Sequence, residues 1–191
     1  MNNSKGFTLV ELAIVLMIIG VILGGVIKGT ELVKNAKIKR LYRDYQNVQT
    51  AMLAYLDRTG AYPGDTTTAG VVGDNLISDN ATFWSALRSA NLYDTSGTGN
   101  PAHVFGGTMQ VASGILGFTG NVLCFENIES ENSTTGAAVS VDKLFDDGDA
   151  TKGNIRAVTD AATIPTSTSA PSGDYASLVT NKLAWVCISL D

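Results

Sequence analysis

The chain has 191 residues and a formal net charge of −5, and 45% of its residues are hydrophobic. The acidic balance argues against general binding to nucleic acid or to anionic membrane surfaces. Behind a long apolar and helical N-terminal stretch, about 130 residues remain, which is enough for one modest globular domain.

The N-terminus is a short basic leader, residues 1–6, that ends in Gly6. Residues 7–27 follow and carry a single charge, that of Glu11. An apolar run of about 20 residues is long enough to span a bilayer as a helix. A carboxylate inside such a run costs roughly 2.5 kcal/mol or more at mid-membrane, so we expect it to have a function. Lys5 and the initiator amine predict a cytoplasmic N-terminus and an extracytoplasmic remainder.

Four glycines lie within or just after the apolar run and form two small-xxx-small pairs, Gly20/Gly24 and Gly25/Gly29. Such pairs let helix backbones approach closely in lipid, but glycine also weakens a helix by up to about 1 kcal/mol each. The pattern predicts a packing face or a place where the helix can melt locally. A third interpretation is that the glycine spacing arises by chance in a helix rich in small residues.

Helical character continues past the apolar run to about residue 57. Apolar residues recur there at steps of three and four, which is typical of one face of an amphipathic helix. They are Ile38, Leu41, Tyr42, Tyr45, Val48, Met52, Tyr55 and Leu56. The segment Tyr62-Pro63-Gly64-Asp65 predicts the end of the helix, because proline cannot continue it and Pro-Gly favours a turn.

The remaining chain alternates loops with short regular elements. We predict helices over residues 81–92 and 139–145, and strands over 108–118, 121–126, 154–158 and 182–190, with a turn at Gly120-Asn121 between the first two strands. Residues 66–80 are rich in Thr, Gly, Asp and Asn and predict a loop. Residues 159–174 are rich in Thr, Ser, Ala and Pro and predict an exposed loop.

Two segments resemble the type IV pilin and type II secretion pseudopilin family. Residues 6–11, Gly-Phe-Thr-Leu-Val-Glu, resemble the family's cleavage motif, and Pro-Gly-Asp at 63–65 with Phe-Trp-x-x-Leu-x-x-Ala-x-Leu at 83–92 resembles one subgroup. The resemblance implies an α+β pilin fold. In this fold a long N-terminal helix, with a membrane half and an amphipathic half, packs on an antiparallel sheet of about four strands. The chain would divide into a leader (1–6), a transmembrane and polymerisation helix segment (7–30) and a globular domain (31–191).

The resemblance also implies a life cycle. A membrane prepilin peptidase would cut after Gly6 and methylate the new amine of Phe7, and Glu11 would pair with the N-terminal amine of a neighbour. The implied partners are copies of the same chain in a helical homopolymer, the peptidase, an inner-membrane assembly platform and, before assembly, the membrane itself. No specific nucleic acid is predicted. The precursor would be a single-pass inner-membrane protein, and the product an extracellular pilus or a periplasmic pseudopilus.

The two cysteines, Cys124 and Cys187, allow one intramolecular pair. An extracytoplasmic location favours a disulfide over two buried thiols. In the family that the chain resembles, such a pair delimits the variable C-terminal loop.

Acidic residues cluster at Asp142, Asp146, Asp147 and Asp149. Calcium takes six to eight oxygen ligands, and major pseudopilins hold calcium in their C-terminal loops. The resemblance therefore implies a calcium ion at Asp146, Asp147 and Asp149, against the alternative of a solvated Asp-Gly turn. No other cofactor is expected.

The single histidine, His103, lies in a predicted loop and is expected on the surface. We find no catalytic triad, phosphate-binding loop or zinc pattern and therefore predict no enzyme.

Three functions fit the sequence. The first is a structural subunit of a type IV pilus, serving adhesion, motility or DNA uptake. The second is a pseudopilin of a type II secretion piston. The third is a membrane-anchored binding protein that does not polymerise.

Overall fold

The computed structural model describes residues 7–65, 73–94, 96–129, 136–159, 163–171 and 183–191. The predicted leader therefore lies outside the described residues. The chain divides by its internal contacts into two compact units, Met1–Lys37 and Ile38–Asp191. The first unit holds the apolar helix segment, and the second holds every residue of the hydrophobic core.

Helix α1 runs from Leu9 to Thr59 over 51 residues, which confirms the predicted long helix. It ends at Gly60, which has a φ of +75° and donates its N–H to the carbonyl of Leu56 at 2.8 Å. Glycine adopts this left-handed conformation without steric cost and commonly terminates helices. The prediction that the Pro63 turn itself ends the helix was therefore wrong, because Gly60 stops it first.

The Pro63-Gly64 turn instead contacts the residues that directly precede the second helix. The carbonyl of Gly64 accepts the N–H groups of Ser78 at 3.1 Å and Asp79 at 3.3 Å. A Cβ at position 64 would lie 2.7 Å from the carbonyl oxygen of Asp79, so this close approach requires glycine.

Helix α2, Asn80–Ser89, begins where the Asp79 carboxylate accepts the N–H of Thr82 at 2.9 Å and that of Ala81 at 3.3 Å. An aspartate at this position satisfies N–H groups that have no partner within the helix. The buried residues of α2 are Phe83, Trp84 and Leu87, as predicted. The helix stops short of the predicted end at residue 92, because Asn91 turns the chain with a φ of +55°.

Four antiparallel strands form one sheet, as predicted. They are β1 (Met109–Ser113), β2 (Asn121–Glu129), β3 (Ile155–Thr159) and β4 (Leu183–Ser189), in the order β1-β2-β4-β3. Helix α3, Ala137–Phe145, connects β2 to β3.

The predicted turn at Gly120-Asn121 was wrong. The chain leaves β1 after Ser113 and turns through Gly114 (φ +64°) and Leu116 (φ +52°), so residues 114–120 form a wider connection. Asn121 is the first residue of β2 and pairs with Ser113. Its side chain accepts the N–H of Ile77 at 2.7 Å, which ties the sheet to the segment before α2.

Both faces of the sheet are covered. Because side chains alternate along a strand, Leu123 and Phe125 lie in one hydrophobic cluster and Val122 and Cys124 in another. The first cluster contains the predicted stripe of α1, in which Ile38, Leu41, Tyr45, Val48 and Met52 are buried. The second cluster contains Ile115 and Leu116, and Phe118 and Ile164 pack against it.

His103 is buried, with 7% of its surface exposed, so the prediction of a surface histidine was wrong. A bridge between Ala102 and Thr108 folds this loop back on itself. The Nε2 of His103 lies 2.7 Å from the carbonyl oxygen of Glu126, and the Nδ1 of His103 accepts the N–H of Phe105 at 3.3 Å. These two bonds require the neutral imidazole with its proton on Nε2.

We expect the stability of the folded chain to fall below about pH 6.5, the ordinary pKa of histidine. Burial lowers the pKa of His103, and the hydrogen bond to Glu126 opposes this only in part. The unfolded chain therefore binds the proton first, so the stabilisation is complete above the unfolded pKa and is lost as the pH falls towards the folded one.

Thermal unfolding of the full chain in detergent between about pH 7 and about pH 5 tests this. The variant His103→Gln should have a lower melting temperature and a flatter pH profile in that window. A wild-type profile as flat as that of the variant would contradict the assignment.

Candidate functional site

The first unit has no core of its own. No described residue between 7 and 37 is buried. Helix α1 contains an 18-residue window with a mean hydropathy of 2.8, none of it buried, and is long and apolar enough to cross a membrane. The exposed side chains include Phe7, Leu9, Leu12, Ile18, Ile22 and Leu23. Apolar surface of this extent is stable in lipid or against other apolar helices, but not in water.

Glu11 lies in the first turn of α1 and is bound to Thr8. Its Oε2 accepts the backbone N–H of Thr8 at 2.8 Å and the Thr8 hydroxyl, also at 2.8 Å. In return, the N–H of Glu11 donates to the Thr8 hydroxyl at 3.3 Å. Because α1 begins at Leu9, Thr8 is the N-cap and Glu11 the third helical residue, which is the arrangement of a capping box.

The capping box is the part of the site that sequence reasoning missed. The pattern Thr-x-x-Glu directly before an apolar run is a recognised helix-start signal. Its consequence is that Glu11 already has hydrogen-bond donors within its own chain. Among the described residues Oε1 receives no hydrogen bond, so that oxygen can accept one from another molecule. The positive end of the helix dipole also favours a carboxylate at this position.

Of the other N-terminal residues, Phe7 is 85% exposed, and Gly6 lies outside the described residues. Pairing of Glu11 with an N-terminal amine therefore stays a prediction.

The predicted disulfide between Cys124 and Cys187 is present. The two residues face each other in the register of β2 and β4, with their Cα atoms 4.0 Å apart. Both are buried in the second hydrophobic cluster. The bond therefore links the two central strands directly.

The acidic residues separate into two groups. Asp142, Asp146 and Asp147 each offer an oxygen within 4.8 Å of the others. Asp149 instead pairs with Lys152 at 2.9 Å and accepts the hydroxyl of Thr151 at 2.7 Å. The Thr151 and Lys152 bonds lower the pKa of Asp149 to about 2. The structure thus brings Asp142 into the candidate calcium set and gives Asp149 other partners.

Hydrogen bonds within the loop also use these carboxylates. Asp142 accepts the N–H of Gly148 at 2.7 Å, and Asp146 accepts that of Ile155 at 2.8 Å. A turn organised by aspartates explains both bonds without an ion. The calcium ion therefore stays a prediction.

Comparison with known proteins places a motif on the N-terminus. The family model described as the prokaryotic N-terminal methylation motif matches residues 1–27. No curated protein matches the chain. Among solved structures, the major Type IV pilin PilA1 from Clostridium difficile is similar over 82% of this chain and 98% of its own, with 16% identity and a TM-score of 0.42.

The chain therefore carries a prepilin-type N-terminus on a long helix and an antiparallel sheet of four strands.

We expect calcium to raise the melting temperature of the full chain if Asp142, Asp146 and Asp147 supply its ligands. Asp147→Asn should abolish the rise, because the amide is uncharged yet its oxygen can still accept the N–H of Asp149, 2.8 Å away. Asp94→Asn, at an exposed aspartate with a similar bond to the N–H of Ser96 at 2.9 Å, is the matched control. A wild-type melting temperature that does not respond to calcium would remove the site.

Proposed function

We propose that the chain is a structural subunit of a type IV pilus. The precursor waits in the inner membrane with its N-terminus in the cytoplasm, is cut after Gly6, and is methylated on the amine of Phe7. The exposed apolar unit of α1 then exchanges lipid for the same segment of other subunits. The observation that carries this proposal is a prepilin-type helix with no buried residue between positions 7 and 37.

Cleavage changes the charge at the start of the helix. Before the cut, the nitrogen of Phe7 belongs to a neutral peptide bond. After it, the nitrogen is an amine that remains protonated and charged near neutral pH. The carboxylate of Glu11 needs a positive partner once the helix is enclosed by apolar side chains, because an unpaired charge there is costly.

The geometry of the carboxylate supports an intermolecular pair. Thr8 binds Oε2 and holds the side chain at the helix start, and Oε1 can then accept the amine of a neighbouring subunit. One polar pair in an apolar interface fixes the axial register of packed helices. The prepilin peptidase and an inner-membrane assembly platform are the other partners that this sequence of events requires.

The glycines of α1 support close packing between subunits. A Cβ at Gly20, Gly24, Gly25 or Gly29 would have no contact within 4 Å in the isolated chain. The space beside these glycines could therefore hold the helix of another subunit, because small residues let two helix backbones approach closely.

A pseudopilin of type II secretion is the second candidate. The observation that favours it is the grouping of Asp142, Asp146 and Asp147, which could hold calcium. A membrane-anchored binding protein that does not polymerise is the remaining alternative. Absence of fibres from the wild-type protein would favour it.

Mass spectrometry of the N-terminal peptide from the native organism tests the processing step. We expect a mature chain that begins at Phe7 and carries a methyl group on its α-amine. A chain that still begins at Met1 would contradict pilin-type processing and with it the proposed role of the amine.

Glu11→Gln tests the assembly step. The glutamine oxygen can still accept the two bonds from Thr8, so the substitution removes the charge and keeps the cap. Loss of one partner of a buried ion pair costs about 3–5 kcal/mol, so we expect fibre formation to fall by orders of magnitude while the membrane-bound monomer keeps its disulfide.

Glu31→Gln is the matched control for this experiment, because Glu31 is an exposed glutamate of the same helix that pairs with Lys28 at 3.2 Å. It should leave fibres intact. Electron microscopy of sheared surface material or of periplasmic extracts measures both variants and also separates a pilus from a secretion pseudopilus. Normal fibres from Glu11→Gln would rule out the charge pair, and no fibres from the wild type would favour the non-polymerising protein.

A further inference from the structure

A cavity of about 350 Å³ lies where α2 ends and the chain turns towards β1. Arg88, in the last turn of α2, lines it together with Tyr93, Asp94 and Asn100 from the segment that follows. Its volume falls within the usual range of small-molecule sites. The cavity belongs wholly to the second unit, and none of these residues has a part in the proposed function.

The guanidinium of Arg88 is fixed by the segment that it faces. Its Nε donates to the carbonyl of Asp94 at 3.2 Å, and its Nη2 donates to the carbonyl of Gly99. Among the described residues Nη1 donates no hydrogen bond, so its two N–H groups remain for a ligand. A guanidinium held in this way is a donor group suited to a carboxylate, whose planar geometry it matches.

The side-chain amide of Asn100 is oriented by its neighbours. Oδ1 of Asn80 accepts the indole N–H of Trp84 at 3.0 Å and the backbone N–H of Val111 at 2.9 Å. Because both of these groups can only donate, the NH2 group of Asn80 is the end that faces Asn100, and it donates to Oδ1 of Asn100 at 2.8 Å. The NH2 group of Asn100 has no partner in the described part of the chain and is a second donor on the cavity wall.

Asp94 supplies the opposite charge. Its Oδ1 accepts the N–H of Ser96 at 2.9 Å, and Oδ2 accepts no hydrogen bond from the described residues. The bonds from Ser96 and the positive charge of Arg88 hold the pKa of Asp94 below its ordinary value, so the carboxylate is ionised near neutral pH. No ion pair joins the described side chains of Asp94 and Arg88. Two opposite charges therefore lie apart on the wall of one cavity.

The wall also carries apolar surface. Tyr93 is half-buried, and its ring packs on Trp84 with 5.2 Å between the ring centroids. A ligand with charged groups at one end and a short side chain at the other can thus use both kinds of surface.

We propose that this cavity binds a free α-amino acid with an uncharged polar side chain. The N–H groups of Arg88 and Asn100 bind its carboxylate, and the carboxylate of Asp94 binds its ammonium group. Such a ligand has no net charge, so the formal charge of −5 on the chain does not repel it as it would repel a simple anion. The site does not depend on how subunits assemble.

Saturation-transfer NMR on the full chain in detergent tests the proposal, with L-glutamine as the probe. We expect saturable binding with a Kd of about 1 mM or below. N-acetyl-L-glutamine lacks the ammonium group and L-glutaminamide lacks the carboxylate. Each should bind about tenfold more weakly or worse, because each leaves a charged partner on the cavity wall unused.

Two variants locate the two ends of the ligand. Asn100→Asp keeps the oxygen that accepts from Asn80 but replaces the donor by a negative charge, so it should weaken binding of L-glutamine about tenfold or more. Asp94→Asn keeps an acceptor for the N–H of Ser96 and removes the charge. It should weaken binding of L-glutamine but not of N-acetyl-L-glutamine.

Matched controls lie outside the cavity at exposed positions. Asn75→Asp makes the first substitution there, and Asp74→Asn makes the second at an aspartate that accepts the N–H of Leu76 at 2.9 Å. Both should bind L-glutamine as the wild type does. Gly97→Phe offers a further route, because Gly97 lines the cavity without a positive φ and a Cβ there would lie at an ordinary 3.8 Å from Nη2 of Arg88. It should fill the cavity and abolish binding at an unchanged melting temperature.

Each failure has a separate meaning. No saturable binding of L-glutamine up to about 10 mM overturns the site. Equal binding of L-glutaminamide overturns the carboxylate assignment, and equal binding of N-acetyl-L-glutamine overturns the role of Asp94. Binding that survives in Asn100→Asp, Asp94→Asn and Gly97→Phe places the ligand elsewhere and overturns the location.

Discussion

The run of apolar residues in the first half of α1, exposed in the isolated chain, is the constraint that governs this molecule. The first unit buries none of its described side chains, so its free energy depends on what surrounds it. In the proposed function, lipid covers the apolar surface before assembly and identical helices cover it afterwards. Glu11 distinguishes these two environments, because a carboxylate enclosed by apolar helices requires a positive partner. In the proposed function, cleavage after Gly6 would supply one by creating an amine at Phe7.

The second unit, in contrast, has a hydrophobic core of its own, built around a sheet of four strands. Its strands alternate between two hydrophobic clusters, so both faces of the sheet are covered. The C-terminal half of α1 packs on the first cluster through the stripe from Ile38 to Met52. The disulfide lies in the second cluster, and Ile164 packs against that cluster.

Much of this fold is predictable from local patterns. The apolar run, the stripe beyond it and the pairing of the only two cysteines each follow from residue type and spacing. The predictions fail where the conformation of a single residue or a contact distant in sequence determines the structure. Gly60 ends α1 before Pro63 can, and the left-handed Leu116 widens the connection that was expected to be a tight turn. His103 is buried because its ring meets the Glu126 carbonyl across the fold. The order β1-β2-β4-β3 and the exchange of Asp149 for Asp142 likewise depend on long-range packing that no short window of sequence contains.

The central claim is that the carboxylate of Glu11 serves the helix cap in the monomer and an ion pair in the filament. A cryo-electron microscopy structure of native fibres at side-chain resolution tests it most directly. The account predicts that the methylated amine of Phe7 in one subunit lies within about 3 Å of a Glu11 oxygen in a neighbour, the distance of a charge-assisted hydrogen bond. Fibres in which Glu11 contacts only Thr8 of its own chain, with every Phe7 amine directed elsewhere, would contradict it.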